Sequence, residues 1–281
     1  MSAKPKIMNQ PGLLFPEEPP KVQNDFACEI IYDDFCAFFA AEGRFPRITD
    51  KKKPWEYRGW LMAYRLELEA CEGIGNRWDY WSRTMLAGKL LNEPIPRVKF
   101  GFAGEEARPF KALVKHINMV ESGGSGWSAL SDLVGWLLWG FGISKEQPKF
   151  SERLNEELYR SFDLSPWLLE PGDYIGHWLG SQRGGRWNPT AFFPTPHHVV
   201  EAMCRMTFGE SEDARAKTVM DPCVGSGRML LHASNYSLRL YGQDIDKSVL
   251  DILQVNGALY CPWLIRAFPD SFFEIQPEAK A

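Results

Sequence analysis

The sequence predicts an α/β chain, with a parallel sheet of few strands in its C-terminal part and an all-helical N-terminal part. Three observations carry this. The apolar run Thr218-Val219-Met220 leads into Asp221-Pro222-Cys223-Val224-Gly225-Ser226-Gly227, and then into Arg228-Met229-Leu230-Leu231-His232-Ala233, which reads as a helix. A second apolar run, Leu238-Arg239-Leu240-Tyr241-Gly242, is followed by Asp244 and by a helical pattern from Lys247 to about Leu259. Before about residue 165, apolar residues recur at three- and four-residue spacing, the period of a helix face. Strands alternating with helices imply a parallel sheet.

Residues 1–24 contain Pro5, Pro11, Pro16, Pro19 and Pro20 and read as an extended arm, either disordered or laid along another subunit. Residues 25–165 read as a helical domain. Its first helix spans Asp25 to Gly43, with Phe26, Ile30, Ile31, Phe35, Phe38 and Phe39 on one side. Lys51-Lys52-Lys53-Pro54 is a basic turn. Trp55 to Glu72 is a second helix. Arg77-Trp78-Asp79-Tyr80-Trp81-Ser82-Arg83 mixes aromatics with arginines, and reads as a core edge with snorkelling arginines ahead of a base-stacking surface. Pro109 to Val120 is helical, Ser122 to Gly126 is a glycine-rich loop, and Ser128 to Gly140 is apolar almost all round, as a central buried helix is. Phe150 to Phe162 completes the set. In residues 166–281, a helix from Thr195 or Pro196 to Met206 precedes the first strand. A short strand near Leu264 to Phe268 follows the last helix. With about three strands, the sheet is expected to have an open edge, which another chain would cover.

Composition narrows the function classes. A net charge of -4 provides no global attraction to nucleic acid, so any DNA contact needs a local basic face. Eleven Trp point to a large aromatic core, a binding surface, or both. The six Cys have no Cys-x-x-Cys spacing and no paired His beside them, which predicts buried thiols in a reducing cytoplasm and no metal site. No signal-peptide pattern opens the sequence, and the apolar stretch Leu133 to Phe141 is too short to span a bilayer.

The strand, glycine turn and helix around residues 218–233 have a chemical reading. Glycines let the main chain turn sharply and approach a ligand, and the start of the helix offers free N–H groups. An acid at the end of the second strand, as Asp244 is, suits the hydroxyls of a ribose.

Asp221-Pro222-Cys223-Val224-Gly225-Ser226-Gly227 resembles the S-adenosyl-L-methionine (AdoMet) motif of the N6-adenine DNA methyltransferases, and within them is most similar to the methylation subunits of type I restriction-modification systems. Phe192-Phe193-Pro194-Thr195-Pro196-His197-His198-Val199-Val200 resembles the Phe-Phe-Thr-Pro-x-x-Val-Val element of that family, with Pro194 inserted. Gly242-Gln243-Asp244-Ile245-Asp246 is similar to the second motif, and Phe268-Pro269-Asp270-Ser271 more loosely to the third. Asp173-Tyr174-Ile175-Gly176 and Arg183-Gly184-Gly185 resemble the lead-in. The likeness covers roughly residues 170–275.

The resemblance implies a partial Rossmann-like AdoMet-dependent methyltransferase sheet. It places Thr195 and Asp221 near the methionine end of AdoMet. Gly225, Ser226 and Gly227 form the close-approach turn. Asp244 takes the ribose hydroxyls, Ile245 packs on the adenine face, and Asp270 meets the adenine amino group. Asp246 has the plainer role of helix N-cap. The catalytic tetrad of the family, Asn/Asp-Pro-Pro-Tyr/Phe, does not occur between Asp270 and Ala281 or elsewhere in the chain. Asn188-Pro189-Thr190-Ala191 is the nearest match. The expectation is therefore an AdoMet-binding protein that is inactive alone, with a protein partner or a second copy covering the open edge, and with DNA as substrate. The alternative is a non-catalytic, methyltransferase-derived module that binds DNA or protein in a phage or defence assembly, its glycine turn a relic.

Overall fold

The structure, a computed structural model, describes residues 6–8, 53–73, 75–125, 128–183, 188, 190–209 and 213–273. The expected helix at 25–43 lies outside them, as does most of the arm.

Among the described residues the chain is mostly helical around a small sheet. After strand β1 (Lys6–Met8) come α1 (Trp60–Glu72), α2 (Arg77–Ala87), α3 (Arg108–Val120), α4 (Ala129–Gly140), α5 (Glu152–Ser161), α6 (Ser165–Leu169), α7 (Tyr174–Arg183) and α8 (His197–Phe208). Then β2 (Thr218–Asp221), α9 (Arg228–Ala233), β3 (Arg239–Asp244), α10 (Lys247–Tyr260) and α11 (Pro262–Ile265) follow. Sheet order is β1-β3-β2. β2 and β3 are parallel, with Thr218 opposite Arg239 and Asp221 opposite Gly242. A parallel pair needs a crossover, and α9 supplies it. β1 runs antiparallel to β3, with Lys6 opposite Asp244, so part of the expected arm lies on the chain's own sheet.

The strand expected near Leu264 to Phe268 is instead the helix α11. Pro262 sits at its first position, where the fixed φ of proline favours a helix start. Trp263, Leu264 and Ile265 are all buried, and a short apolar run buried on every side has no periodicity that separates strand from helix. Ile265 fills the space beside Gly257 of α10, where an added Cβ would meet its Cγ2 at 2.5 Å.

The N-terminal helices are packed into the sheet layer. The last turn of any helix leaves carbonyls without intrahelical partners. In α10 they are met from α1 and α2. Trp78 Nε1 donates to the Ala258 carbonyl at 2.9 Å, Arg65 Nε to that of Leu259 at 3.1 Å, and Arg77 Nη1 to that of Tyr260 at 3.1 Å. Two cations at a helix C-terminus also suit its dipole. Arg77 is not a snorkelling arginine. It is 1% exposed, reaches Pro96 O, Ser234 Oγ and Asn235 Oδ1, and faces the rings of Phe100 and Trp263. Arg83 does lie at the surface, paired with Asp79 and Glu93. Most of the described tryptophans go to the core: Trp60, Trp78, Trp81, Trp136, Trp139, Trp167 and Trp263 are buried in one apolar cluster with Leu240 of β3 and Leu253 of α10, and Trp55 is buried beside Tyr159.

Candidate cofactor-binding site

β2 ends at Asp221, and the chain turns through Pro222 to Gly227 into α9. Gly225 has φ 53° and Gly227 φ 89°, left-handed values that disfavour side chains. Packing adds a second reason. A Cβ at Gly225 would meet the Phe192 ring at 2.9 Å, and one at Gly227 would meet Leu253 at 2.9 Å. These glycines are therefore required by the apo fold itself, before any ligand is considered. The Gly227 N–H closes the turn on Val224 O at 2.8 Å.

A cleft of about 500 Å³ opens at the C-terminal ends of β2 and β3. Thr195, Asp221, Gly225, Ser226, Asp244 and Ile245 all line it, together with Phe192, Phe193, Cys223 and Arg228. The sequence-predicted residues thus converge from three separate segments. Parallel α/β sheets place their ligands at this end of the strands. Cys223 is exposed here, contrary to the expectation of uniformly buried thiols, while Cys204 and Cys261 are buried.

Asp244 braces the site. One carboxylate oxygen accepts from Gly225 N at 2.9 Å, and the other from Asp246 N at 2.9 Å. An ionised carboxylate has about four acceptor positions, so each oxygen keeps one for a ligand hydroxyl. Asp221 is half-buried and accepts from Cys223 N at 3.0 Å. Burial raises its pKa and the nearby Asp244 charge raises it further, against the lowering effect of the Cys223 N–H. A cation in the cleft would relieve this pair. Phe193 and Ile245 are 71% and 77% exposed at the cleft, two apolar side chains without cover.

Asp246 is the N-cap of α10, accepting from Ser248 N at 2.9 Å. Its other oxygen takes Arg183 Nη1 at 2.8 Å and Thr190 Oγ1 at 2.9 Å. Burial opposes the charge, but the Ser248, Arg183 and Thr190 hydrogen bonds overcome it and hold the pKa at about 2. Arg183, the last residue of α7, is thus a tie between α7 and α10, and it also faces the Phe192 ring. Asn188, in the nearest match to the catalytic tetrad, brackets the backbone of Phe192 with both ends of its amide, at 2.9 and 3.1 Å.

Two expected site residues lie elsewhere. Gly227 is the N-cap position of α9 and does not line the cleft. Asp270 pairs with Arg239 at 2.9 Å. Arg239 begins β3 and Asp244 ends it, so Asp270 is held by the residue at the opposite end of the strand from Asp244, and it does not line the cleft.

Sequence reasoning also missed the group beneath the turn. Asp173 is 1% exposed and gathers four donors from three segments: Gly176 N at 2.9 Å, Asn256 Nδ2 at 2.9 Å, and Ser226 Oγ at 2.5 Å with Arg228 Nη2 at 3.1 Å. Its place in the lead-in motif was the signal, since an aspartate that spans three residues to a glycine suits a helix start. Next to it, His197 Nδ1 and His232 Nε2 approach to 2.9 Å between α8 and α9, both buried, while His198 is exposed.

The parallel strand–turn–helix unit thus forms a cleft that joins a glycine turn to an acid on the neighbouring strand. The family model described as N-6 DNA Methylase matches residues 187–260, the stretch that contains β2, β3, the turn and α10. No curated protein and no solved structure matches the chain. Among the described residues, no helix is long and apolar enough to cross a membrane, and no cluster of His, Cys, Asp or Glu is suited to a metal ion.

Proposed function

We propose that the cleft binds AdoMet and that the chain is the cofactor-binding part of a DNA adenine methylation system of the type I subunit kind. The observation that carries this is the convergence of Asp244, Ile245, Asp221 and the glycine turn in one cleft of about 500 Å³, within the usual range for small-molecule sites. The residues fit the group. Asp244 offers acceptors to the ribose hydroxyls, Ile245 and Phe193 offer apolar surface to the adenine, and the Asp221 carboxylate suits the cationic methionine end near Thr195. AdoMet would supply an activated methyl group. The chain would hold and orient it.

The 281 residues contain no Asn/Asp-Pro-Pro-aromatic tetrad, and Asn188 is committed to the Phe192 backbone. Methyl transfer would need that tetrad from outside these residues, and in this reading a partner polypeptide supplies it, with adenine in DNA as the acceptor. The outer edge of β2 is the last strand in the sheet order among the described residues, and a partner strand would pair there. The second reading is a binding module without methyl transfer. It is favoured by the fact that the glycines of the turn are explained by packing against Phe192 and Leu253 alone.

Isothermal titration with AdoMet tests the proposal. Saturable binding is expected in the wild type and loss of it in Asp244→Ala. Absence of binding in a folded wild type would overturn the cofactor reading and leave the binding module.

A further inference from the structure

We propose that Asp173, which does not itself line the cleft, is the positioning residue that sets the shape of both cleft walls. The inference rests on the cleft being the AdoMet site. Its geometric content stands without the ligand.

Asp173 begins from outside the cleft and reaches each wall through one intermediary. Toward the glycine turn, its Oδ2 accepts from Ser226 Oγ at 2.5 Å. Ser226 is 2% exposed, and its hydroxyl turns back into the protein. The Ser226 carbonyl is held as well, by Asn256 Nδ2 at 3.0 Å, and the same amide nitrogen donates to Asp173 Oδ1 at 2.9 Å. Toward the opposite wall, Asp173 pairs with Arg228, whose Nη1 donates to the carbonyl of Thr195 at 2.9 Å and lies 3.4 Å from that of Pro194. One buried carboxylate thus anchors both the 225–228 turn and the 194–195 loop.

The side chains of this ion pair are 0% and 7% exposed. A buried pair adds little net stability, because desolvation offsets attraction, but removing one partner strands a charge. Its value lies in fixing geometry. The space around it is filled. A Cβ at Gly176 would fall 2.2 Å from Asp173 Oδ2 and 2.3 Å from Ser226 Oγ, so glycine at 176 is a condition of the arrangement. A ligand site works best when its contacts are pre-set by such supporting groups.

The test compares Asp173→Asn, Ser226→Ala and Gly176→Ala with Glu69→Gln. Glu69 forms a second buried ion pair, with Arg65 at 2.6 Å, away from the cleft, and serves as a control for lost stability alone. Two quantities are read beside the melting temperature: hydrogen exchange of peptides covering 190–195 and 223–228, and the Kd for AdoMet. The expected result is at least about tenfold faster exchange and about tenfold weaker AdoMet binding in the three node variants, the equivalent of one lost charge-assisted hydrogen bond. Glu69→Gln should change neither, at an equal or larger loss of melting temperature. If exchange of these peptides rises as much in Glu69→Gln as in the node variants at an equal loss of melting temperature, the positioning role is overturned. If the wild type fails to bind AdoMet, the cofactor reading falls and exchange alone decides the role of Asp173. Should Asp173→Asn not fold, Ser226→Ala, which keeps every charge, decides it.

Discussion

Ser226 shows how a residue's place in a motif differs from its task. The motif puts it in the close-approach turn, and the turn is there, but its hydroxyl serves Asp173 and leaves the cleft surface to its neighbours. Ile245 is the opposite case. It is large, apolar and 77% exposed, an arrangement with no folding benefit. Ile245→Ala should leave the melting temperature within error, because almost no buried surface is lost. The same change should weaken AdoMet binding by about tenfold, the worth of burying a few methylenes against a flat ring. Calorimetry and a thermal melt on one sample check both halves. A matching loss of stability would mean that Ile245 belongs to the core.

Among the elements, α10 and the α8–α9 contact carry the sharpest expectations. α10 depends at its start on Asp246, which caps Ser248 and also receives Arg183 and Thr190. Asp246→Ala should cost about 1–2 kcal/mol in urea unfolding, the size of a lost N-cap, and should loosen the Arg183 end of α7 as well. The α8–α9 contact is expected to weaken on acidification. His197 and His232 face each other in a buried space that also feels the charges of Arg228, Asp173, His177 and Glu201. Burial is the largest influence on both and holds both below the ordinary imidazole value, His232 at about 4. Between about pH 6.5 and pH 4 the unfolded chain binds protons that the folded chain refuses. Stability is therefore complete above about pH 6.5 and declines as pH falls through that window, by up to about 1.4 kcal/mol per pH unit for each histidine. Urea midpoints at pH 7.5, 6 and 5 should fall in that order, with a shallower slope in His232→Gln. Equal midpoints would refute the assignment.

At the scale of the whole molecule, the helical part and the sheet part share their fastening. The carbonyls that end α10 are satisfied by Arg65, Trp78 and Arg77 from α1 and α2. The apolar cluster runs without a break from Trp60 to Phe268. Melting followed by tryptophan fluorescence and by far-ultraviolet circular dichroism should therefore give coincident curves. Arg77→Met should shift both together, because it leaves Ser234 Oγ and the carbonyls of Pro96 and Tyr260 without this donor and Asn235 Oδ1 with Val98 N alone. Two separated transitions would show that the parts fold independently.

The sequence by itself determined the parts whose signals are local. Gly225 and Gly227 require a turn, Asp246 before Ser248 reads as a cap, and β2, β3, α4 and α10 follow from periodicity and from glycine and aspartate punctuation. The convergence of Thr195, Asp221, Asp244 and Ile245 was legible through a motif shared with a family. What only the tertiary structure decided depends on contacts between distant segments. Asp173 meets Ser226 and Asn256 across 53 and 83 residues, and Arg77 meets α10 across 183. No window of sequence records such pairings. The same holds for α11, a short apolar run whose helical state is set by burial against Gly257, and for Asp270, which pairs with Arg239 and does not line the cleft. Local patterns specify elements because backbone geometry repeats along the chain. The site's supporting charges are specified only by packing, because burial is what makes an aspartate and an arginine seek each other.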